Sequence, residues 1–164
     1  MTQSSKFLVI GIGNEYRHDD AAGLVVARRI KERAPGGCEV YEHIGEGTAL
    51  MQLWKYADRV LVIDAVRSSS PAATIHCVEA SRHPLPAGVF RDSTHAFGLV
   101  EAIELSRTLK ELPSSFVVYG IEGENFKAGI GLSPPVQNGI NKLLEKVWQQ
   151  VEMHSPARYG RTCE

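Results

Sequence analysis

The sequence has few cysteines and lacks a long apolar run, and both features narrow the kinds of protein it can encode. Its 164 residues include three cysteines, none of them in a C-x-x-C pair: Cys38, Cys77 and Cys163. An odd number without such pairs argues against a disulfide framework or a cysteine zinc knuckle and favours a reducing compartment. The apolar stretch from Phe7 to Ile10 is too short for a membrane span or a signal-peptide core. We therefore expect a cytoplasmic protein with no membrane association.

Strong charge of either sign is also missing. The formal net charge is -1, with 43% apolar and 23% charged residues, which is ordinary for a globular protein. Such a chain has no field that would attract nucleic acid or anionic lipid. Its length suits one domain that can bury a core without disulfides. We expect a monomer with no nucleic-acid partner.

Several well-known catalytic and nucleotide-binding motifs are absent. No G-x-x-x-x-G-K-[ST], H-E-x-x-H or G-x-S-x-G occurs. His76 and Cys77 are adjacent in a predicted strand, so their side chains point to opposite faces, which argues against a Cys-His nucleophile pair. Gly11 and Gly13 begin a G-x-G-x-x-G pattern, but Tyr16 replaces the third glycine and should block close packing of helix on strand. A nucleotide-binding enzyme that uses this turn is the weakest of our hypotheses.

Short apolar runs alternate with segments of helical periodicity. We predict strands at about residues 7–10, 38–44, 59–66, 74–78 and 116–121, the fourth of them near a sheet edge. Helices are predicted from Asp20 to the Pro35 region, from Thr48 through Trp54, from a Ser93 or Thr94 cap to Leu109, and from Ser133 to Val151. This order indicates a single three-layer α/β/α domain over residues 1–152, with a mostly parallel twisted sheet of about five strands. Residues 153–164 are predicted to form a flexible tail.

Three polar residues map to the carboxyl edge of this sheet, where open α/β folds bind their ligands. Asp20 lies in the turn after the first strand, Asp64 ends the third strand, and His95 starts the helix capped by Thr94. Two carboxylates and an imidazole suit nickel, zinc or a similar divalent ion and leave coordination positions open. The helix N-terminus would also disfavour protonation of His95.

Each of these residues also has a purely structural interpretation. Asp20 or its neighbour Asp19 could be an N-cap carboxylate, and His95 could be a cap or a surface histidine with ordinary partners. Asp64 is harder to explain in this way, because an unpaired carboxylate at the end of a buried strand is costly. The residues alone leave a cap and a metal site open as alternatives.

Taken in chain order, several short motifs resemble one known family, the nickel-iron hydrogenase maturation endopeptidases. The similarity covers nearly the whole chain, from about residue 6 to 151, and each motif is weak by itself. The matching positions are Gly11, Gly13 and Asn14 with the acidic pair Asp19 and Asp20, Gly47-Thr48, Ile63-Asp64-Ala65, His95 with Gly98-Leu99, and GIGLSPPV at 129–136.

The resemblance implies an endopeptidase that removes a C-terminal peptide from the large-subunit precursor of a hydrogenase after nickel insertion. Asp20, Asp64 and His95 would then be the residues that bind nickel. The metal would be supplied by the substrate, and the resting protein would be metal-free. The first ligand in the family is often glutamate, so Asp20 is shorter by one methylene. The alternative is a non-catalytic, chaperone-like module that uses the same trio only to check for nickel.

Overall fold

The computed structural model describes residues 5–33, 36–90 and 95–154, which contain five strands and four α-helices. A 3₁₀ turn at His18–Ala21 leads into the first helix. The elements are β1 (Phe7–Ile12), α1 (Ala22–Arg33), β2 (Glu39–His43), α2 (Gly47–Trp54), β3 (Arg59–Val66), β4 (Ile75–Glu79), α3 (Leu99–Thr108), β5 (Ser115–Glu122) and α4 (Pro134–Met153). Strands and helices alternate except that β3 is followed directly by β4.

The strands form one sheet in the order β2-β1-β3-β5-β4. Every neighbouring pair is parallel except β4 with β5, which is antiparallel. The central strands β1 and β3 are buried along almost their whole length, as their continuous apolar sequences predict, whereas β4 is half exposed. The predicted mostly parallel sheet and the edge position of residues 74–78 are confirmed.

Helices cover both faces of the sheet and give it three layers. The core on one face joins α1 and α4 to the sheet, and the core on the other face joins α2 and α3. In α4 the apolar stripe predicted from the sequence is buried at Val136, Ile140, Leu143, Leu144, Val147 and Val151. The predicted α/β/α architecture is therefore the observed one.

The first helix packs unusually closely on the sheet because two glycines face each other. A Cβ atom on Gly11 would lie 2.3 Å from the carbonyl oxygen of Gly23, and one on Gly23 would lie 2.4 Å from the carbonyl oxygen of Ile63. Our expectation that Tyr16 would prevent close packing of helix on strand is therefore wrong, since Gly23 within α1 supplies the missing space.

The third helix begins later than the sequence predicts. Gly98 is its N-cap, and the Glu101 carboxylate accepts a hydrogen bond of 3.0 Å from the Gly98 backbone N–H. The predicted caps at Ser93 and Thr94 lie outside the described residues. His95 precedes the helix by four residues, so it does not start α3, and the argument that a helix N-terminus keeps it unprotonated does not apply.

The ends of the other helices lie close to their predicted positions. The side chain of Glu46 accepts hydrogen bonds from the backbone N–H groups of Thr48 and Ala49, which places the start of α2 at Gly47. Helix α4 continues to Met153, and residues 155–164 of the predicted tail lie outside the described part of the chain. None of the helices described is both long and apolar enough to cross a membrane.

Candidate active site

The site lies where the direction of chain winding reverses. β2 pairs with one side of β1 and β3 with the other, so a crevice opens between β1 and β3 at their carboxyl ends. The last β1–β3 pair joins Gly11 to Ile63, and Asp64 is the next residue of β3. Asp20 lies in the 3₁₀ turn that follows β1. The topology therefore brings both carboxylates to the same crevice from two different strands.

Asp20, Asp64 and His95 line one small cleft, with an enclosed volume of about 50 Å³. The structure thus brings together the three residues that the sequence singled out. The remaining lining combines apolar residues, among them Ile12, Ile44, Val66, Val89 and Phe90, with the charged side chain of Arg17.

Both carboxyl groups have raised pKa values. Burial raises the pKa of Asp64 well above its ordinary value, and the negative charge of Asp20 raises it further, against a hydrogen bond from the Ala65 backbone. Burial also raises the pKa of Asp20, while the Arg17 guanidinium at 3.7 Å and a backbone hydrogen bond from Asn14 lower it. Ionisation of the two carboxyl groups is therefore costly in free energy, and a cation in the cleft would offset that cost.

His95 lies against the wall formed by the loop after β2. Its Nε2–H donates a hydrogen bond of 3.1 Å to the carbonyl oxygen of Ile44, so the lone pair of a neutral ring lies on Nδ1. In residues 5–33, 36–90 and 95–154 no three histidine, cysteine or acidic side chains are grouped so that they could hold a metal ion. The trio shares a cleft without forming a closed coordination sphere.

Asp19 has a different environment from its neighbour Asp20. It is fully buried, and its carboxylate accepts hydrogen bonds from the backbone N–H groups of Glu124 (2.8 Å), Asn125 (2.9 Å) and Ser133 (2.7 Å) and from the Ser133 hydroxyl (2.8 Å). Burial alone would raise the pKa of Asp19, but these hydrogen bonds lower it. The idea that Asp19 caps the first helix is wrong, because its carboxylate holds the segment between β5 and α4.

Glu122 is a second buried carboxyl group that the sequence reasoning missed. It ends β5, is 1% exposed, and accepts hydrogen bonds from the Ser68 backbone N–H (2.9 Å), the Ser68 hydroxyl and His76 Nε2 (2.9 Å). The available signal was a charged residue at the end of a continuous apolar strand. Glu122 thereby holds Ser68, in the loop between β3 and β4, and His76, in β4. This structural role accounts for its burial.

Comparisons with known proteins identify the family. Residues 29–150 match the family model for hydrogenase maturation proteases. The chain is 25% identical over 144 residues to the hydrogenase 2 maturation protease of Escherichia coli K12, an alignment that covers 87% of this chain and 88% of that protein. It is 29% identical over 150 residues to the hydrogenase expression/formation protein HupM of Azotobacter chroococcum, covering 88% and 71% of the two chains.

Solved structures show the same fold. The hydrogenase maturating endopeptidase HybD from E. coli superposes with a TM-score of 0.77 at 22% identity, over 90% of this chain and 93% of that one. An endopeptidase from E. coli, solved in solution, gives a TM-score of 0.75 at 25% identity over 87% and 89%. With a family model that matches residues 29–150 and a shared fold, the chain belongs to the hydrogenase maturation protease family, whose members are peptidases.

Proposed function

We propose that this protein is an endopeptidase that removes a C-terminal peptide from the large-subunit precursor of a nickel-iron hydrogenase once nickel has been inserted. Membership of the maturation protease family supports the peptidase activity and the precursor as substrate. The observation that carries the rest is the cleft at the β1–β3 crevice, which is lined by Asp20, Asp64 and His95.

The same three residues would bind the nickel ion of the precursor. Carboxylate and imidazole groups are suitable ligands for such an ion. Burial, and for Asp64 also the charge of Asp20, raises the pKa values of the two carboxyl groups, so a cation in the cleft would favour their ionised forms. Because the ion would arrive already held by ligands of the precursor, the protease has no need of a complete cage of its own.

Nickel recognition in this form would make cleavage depend on metal insertion. Contacts to the ion are absent from a nickel-free precursor, so they supply the differential binding that selects the loaded form. An open coordination position could polarise the scissile carbonyl or activate a water molecule for attack. The geometry of the cleft is compatible with both roles. We further propose that the protein works as a monomer and that it is located in the cytoplasm. Its cysteine usage favours such a reducing compartment.

Incubation of the protein with a nickel-loaded precursor tests the proposal. Intact-mass measurement should show that the precursor loses a C-terminal peptide and that the protease is unchanged. Stable binding without any loss of mass would instead support the non-catalytic nickel-checking module and would overturn the peptidase proposal for this chain. Addition of the Asp64→Ala variant in place of the wild type provides the matched control.

A further inference from the structure

Three large apolar side chains are exposed on loops beside the cleft. Tyr16 follows β1 and is 63% exposed, Ile44 follows β2 and is 67% exposed, and Ile130 follows β5 and is 76% exposed. Single exposed apolar residues are common and need no explanation, but three from separate loops at one edge of a sheet form a candidate interaction surface. We call Tyr16, Ile44 and Ile130 the apolar rim.

Backbone hydrogen bonds join the Tyr16 part of the rim to the Ile130 part. The Gly129 N–H donates to the carbonyl oxygen of Tyr16 (2.9 Å), and the His18 N–H donates to the carbonyl oxygen of Gly129 (2.9 Å). The His18 ring adds a hydrogen bond from Nδ1 to the Gly131 carbonyl oxygen (2.9 Å). With the four hydrogen bonds to Asp19, these contacts fix the loop in place, so the rim is organised before any partner binds.

The rim is continuous with the cleft. Ile44 lines the cleft and also an adjoining depression of about 530 Å³ that includes Tyr16 and Leu24. The carbonyl group of the same Ile44 accepts the hydrogen bond from His95. By contrast, the apolar groove between α2 and α3, which includes Leu105, shares no lining residue with the cleft.

The charges in the depression are paired with one another. The Arg28 guanidinium lies 2.7 Å from a carboxylate oxygen of Glu42 and 3.2 Å from one of Glu15. Those ion pairs engage Arg28, Glu15 and Glu42, and the side chains of Tyr16, Leu24 and Ile44 give the depression an apolar part that suits an occupant with apolar side chains.

We propose that the apolar rim docks the hydrogenase precursor, and that it binds an extended segment with apolar side chains directly next to the scissile bond. This inference rests on the proposed function, because it assumes that the peptide chain enters the cleft. Because Ile44 lines both the cleft and the adjoining depression, a chain that leaves the cleft on this side passes over the rim. The contacts at the rim are the same in the bound precursor and in the transition state, so they should lower KM and leave kcat unchanged.

Serine substitutions on the rim test the proposal. For Tyr16→Ser and Ile130→Ser, which leave the cleft lining unchanged, we expect KM for the nickel-loaded precursor to rise about tenfold each, as loss of one buried apolar contact generally implies. The value of kcat should stay within about twofold of the wild type, because Asp20, Asp64 and His95 are untouched. Tyr56→Ser (82% exposed) and Leu105→Ser (40% exposed), which lie away from the cleft, serve as matched controls.

Unchanged KM in both rim variants, or an equal rise in the two controls, would overturn the docking surface while leaving the proposed function standing. If the wild type fails to cleave the precursor, the proposed function fails, and direct binding of the nickel-loaded precursor then tests the rim. Weaker binding by the rim variants alone would support the rim, and unchanged binding would refute it. Thermal unfolding of each variant establishes that the fold is intact.

Discussion

Asp19 and Asp20 are adjacent in the chain but face two different regions of the molecule. The Asp19 carboxylate is buried and accepts four hydrogen bonds from the segment between β5 and α4. Asp20 faces the cleft, where Asp64 is its acidic neighbour and Arg17 lies 3.7 Å away. As a result, the pKa of Asp19 is lowered and the pKa values of Asp20 and Asp64 are raised.

Within one short turn, Asp19 therefore has a structural role and Asp20 lines the cleft. The hydrogen-bonded carboxylate fixes the turn, and its ionised form stabilises the folded state. The cleft carboxyl groups have the opposite character, since ionisation costs folding free energy that a bound cation would return. Stability and function should therefore be separable by substitutions at neighbouring positions.

The largest expected effect is the loss of activity when the cleft residues are removed. Asp20→Ala, Asp64→Ala and His95→Ala should each reduce processing of the nickel-loaded precursor at least about 100-fold, because each would remove one of the proposed ligands for the ion. The free energy of unfolding should change little. Glu145→Gln, on an exposed position of α4, is the control. Cleavage at the wild-type rate by Asp64→Ala or His95→Ala would contradict the proposal that the cleft recognises the metal.

Removal of the Asp19 carboxylate should instead affect stability. Asp19→Ala leaves the backbone N–H groups of Glu124, Asn125 and Ser133 without their acceptor, and we expect a loss of about 2–4 kcal/mol of unfolding free energy. Ser133→Ala removes only the hydroxyl bond and should cost about 1 kcal/mol. Urea denaturation measures both. An Asp19→Ala variant as stable as the wild type would contradict the assigned role.

The two regions should also respond to pH with opposite signs. The raised pKa of Asp64 means that the folded state holds its proton longer, so this group favours folding at acid pH and loses that contribution as pH rises through the folded-state pKa. Asp64→Asn should therefore gain stability relative to the wild type as pH rises from the unfolded-state value near 3.8 through the higher folded-state pKa. The lowered pKa of Asp19 stabilises the fold above its unfolded value near 3.8, and this contribution disappears on acidification.

Thermal unfolding of the wild type, Asp64→Asn and Asp19→Asn across that range measures these trends. The Asp64→Asn difference should grow with pH, and the deficit of Asp19→Asn should shrink as pH falls below about 4. Parallel curves for all three proteins would show that neither group titrates as the structure indicates.

Among the substitutions in the cleft, the smallest expected effect on cleavage belongs to Asp20→Glu. The longer side chain restores the residue that is often found in the family, and it keeps the carboxylate in the cleft. We expect cleavage about tenfold slower than in the wild type, because misplacement by about 1 Å costs up to roughly 100-fold. A complete loss of cleavage would mean that the turn fixes the carboxylate more tightly than its position at the edge of the cleft suggests.

Much of the fold could be predicted from the sequence because its signals are local. The apolar runs of β1 and β3 and the apolar stripe of α4 can each be recognised within one segment of sequence, and they correspond to buried side chains. The start of α3 could not be predicted as well, since the pairing of Gly98 with Glu101 competed with better-known capping residues at 93 and 94.

The site was predictable in part. Asp64 was identified because a carboxyl group at the end of a buried strand is costly, and the topology of an α/β sheet places Asp20 beside it. The sequence singled out Asp20 over Asp19 as the ligand, but the partners of Asp19 could not be inferred, because they lie more than 100 residues further along the chain. The close packing of Gly11 on Gly23 was also missed, since it depends on the approach of a helix to a strand.

The central claim is that the cleft of Asp20, Asp64 and His95 recognises nickel in the precursor and couples it to cleavage. The most direct test compares the same hydrogenase large-subunit precursor with and without nickel, incubated with the wild-type protein and followed by intact mass. The account predicts that the C-terminal peptide is lost from the nickel-loaded precursor only. Cleavage of the nickel-free precursor at the same rate would contradict it.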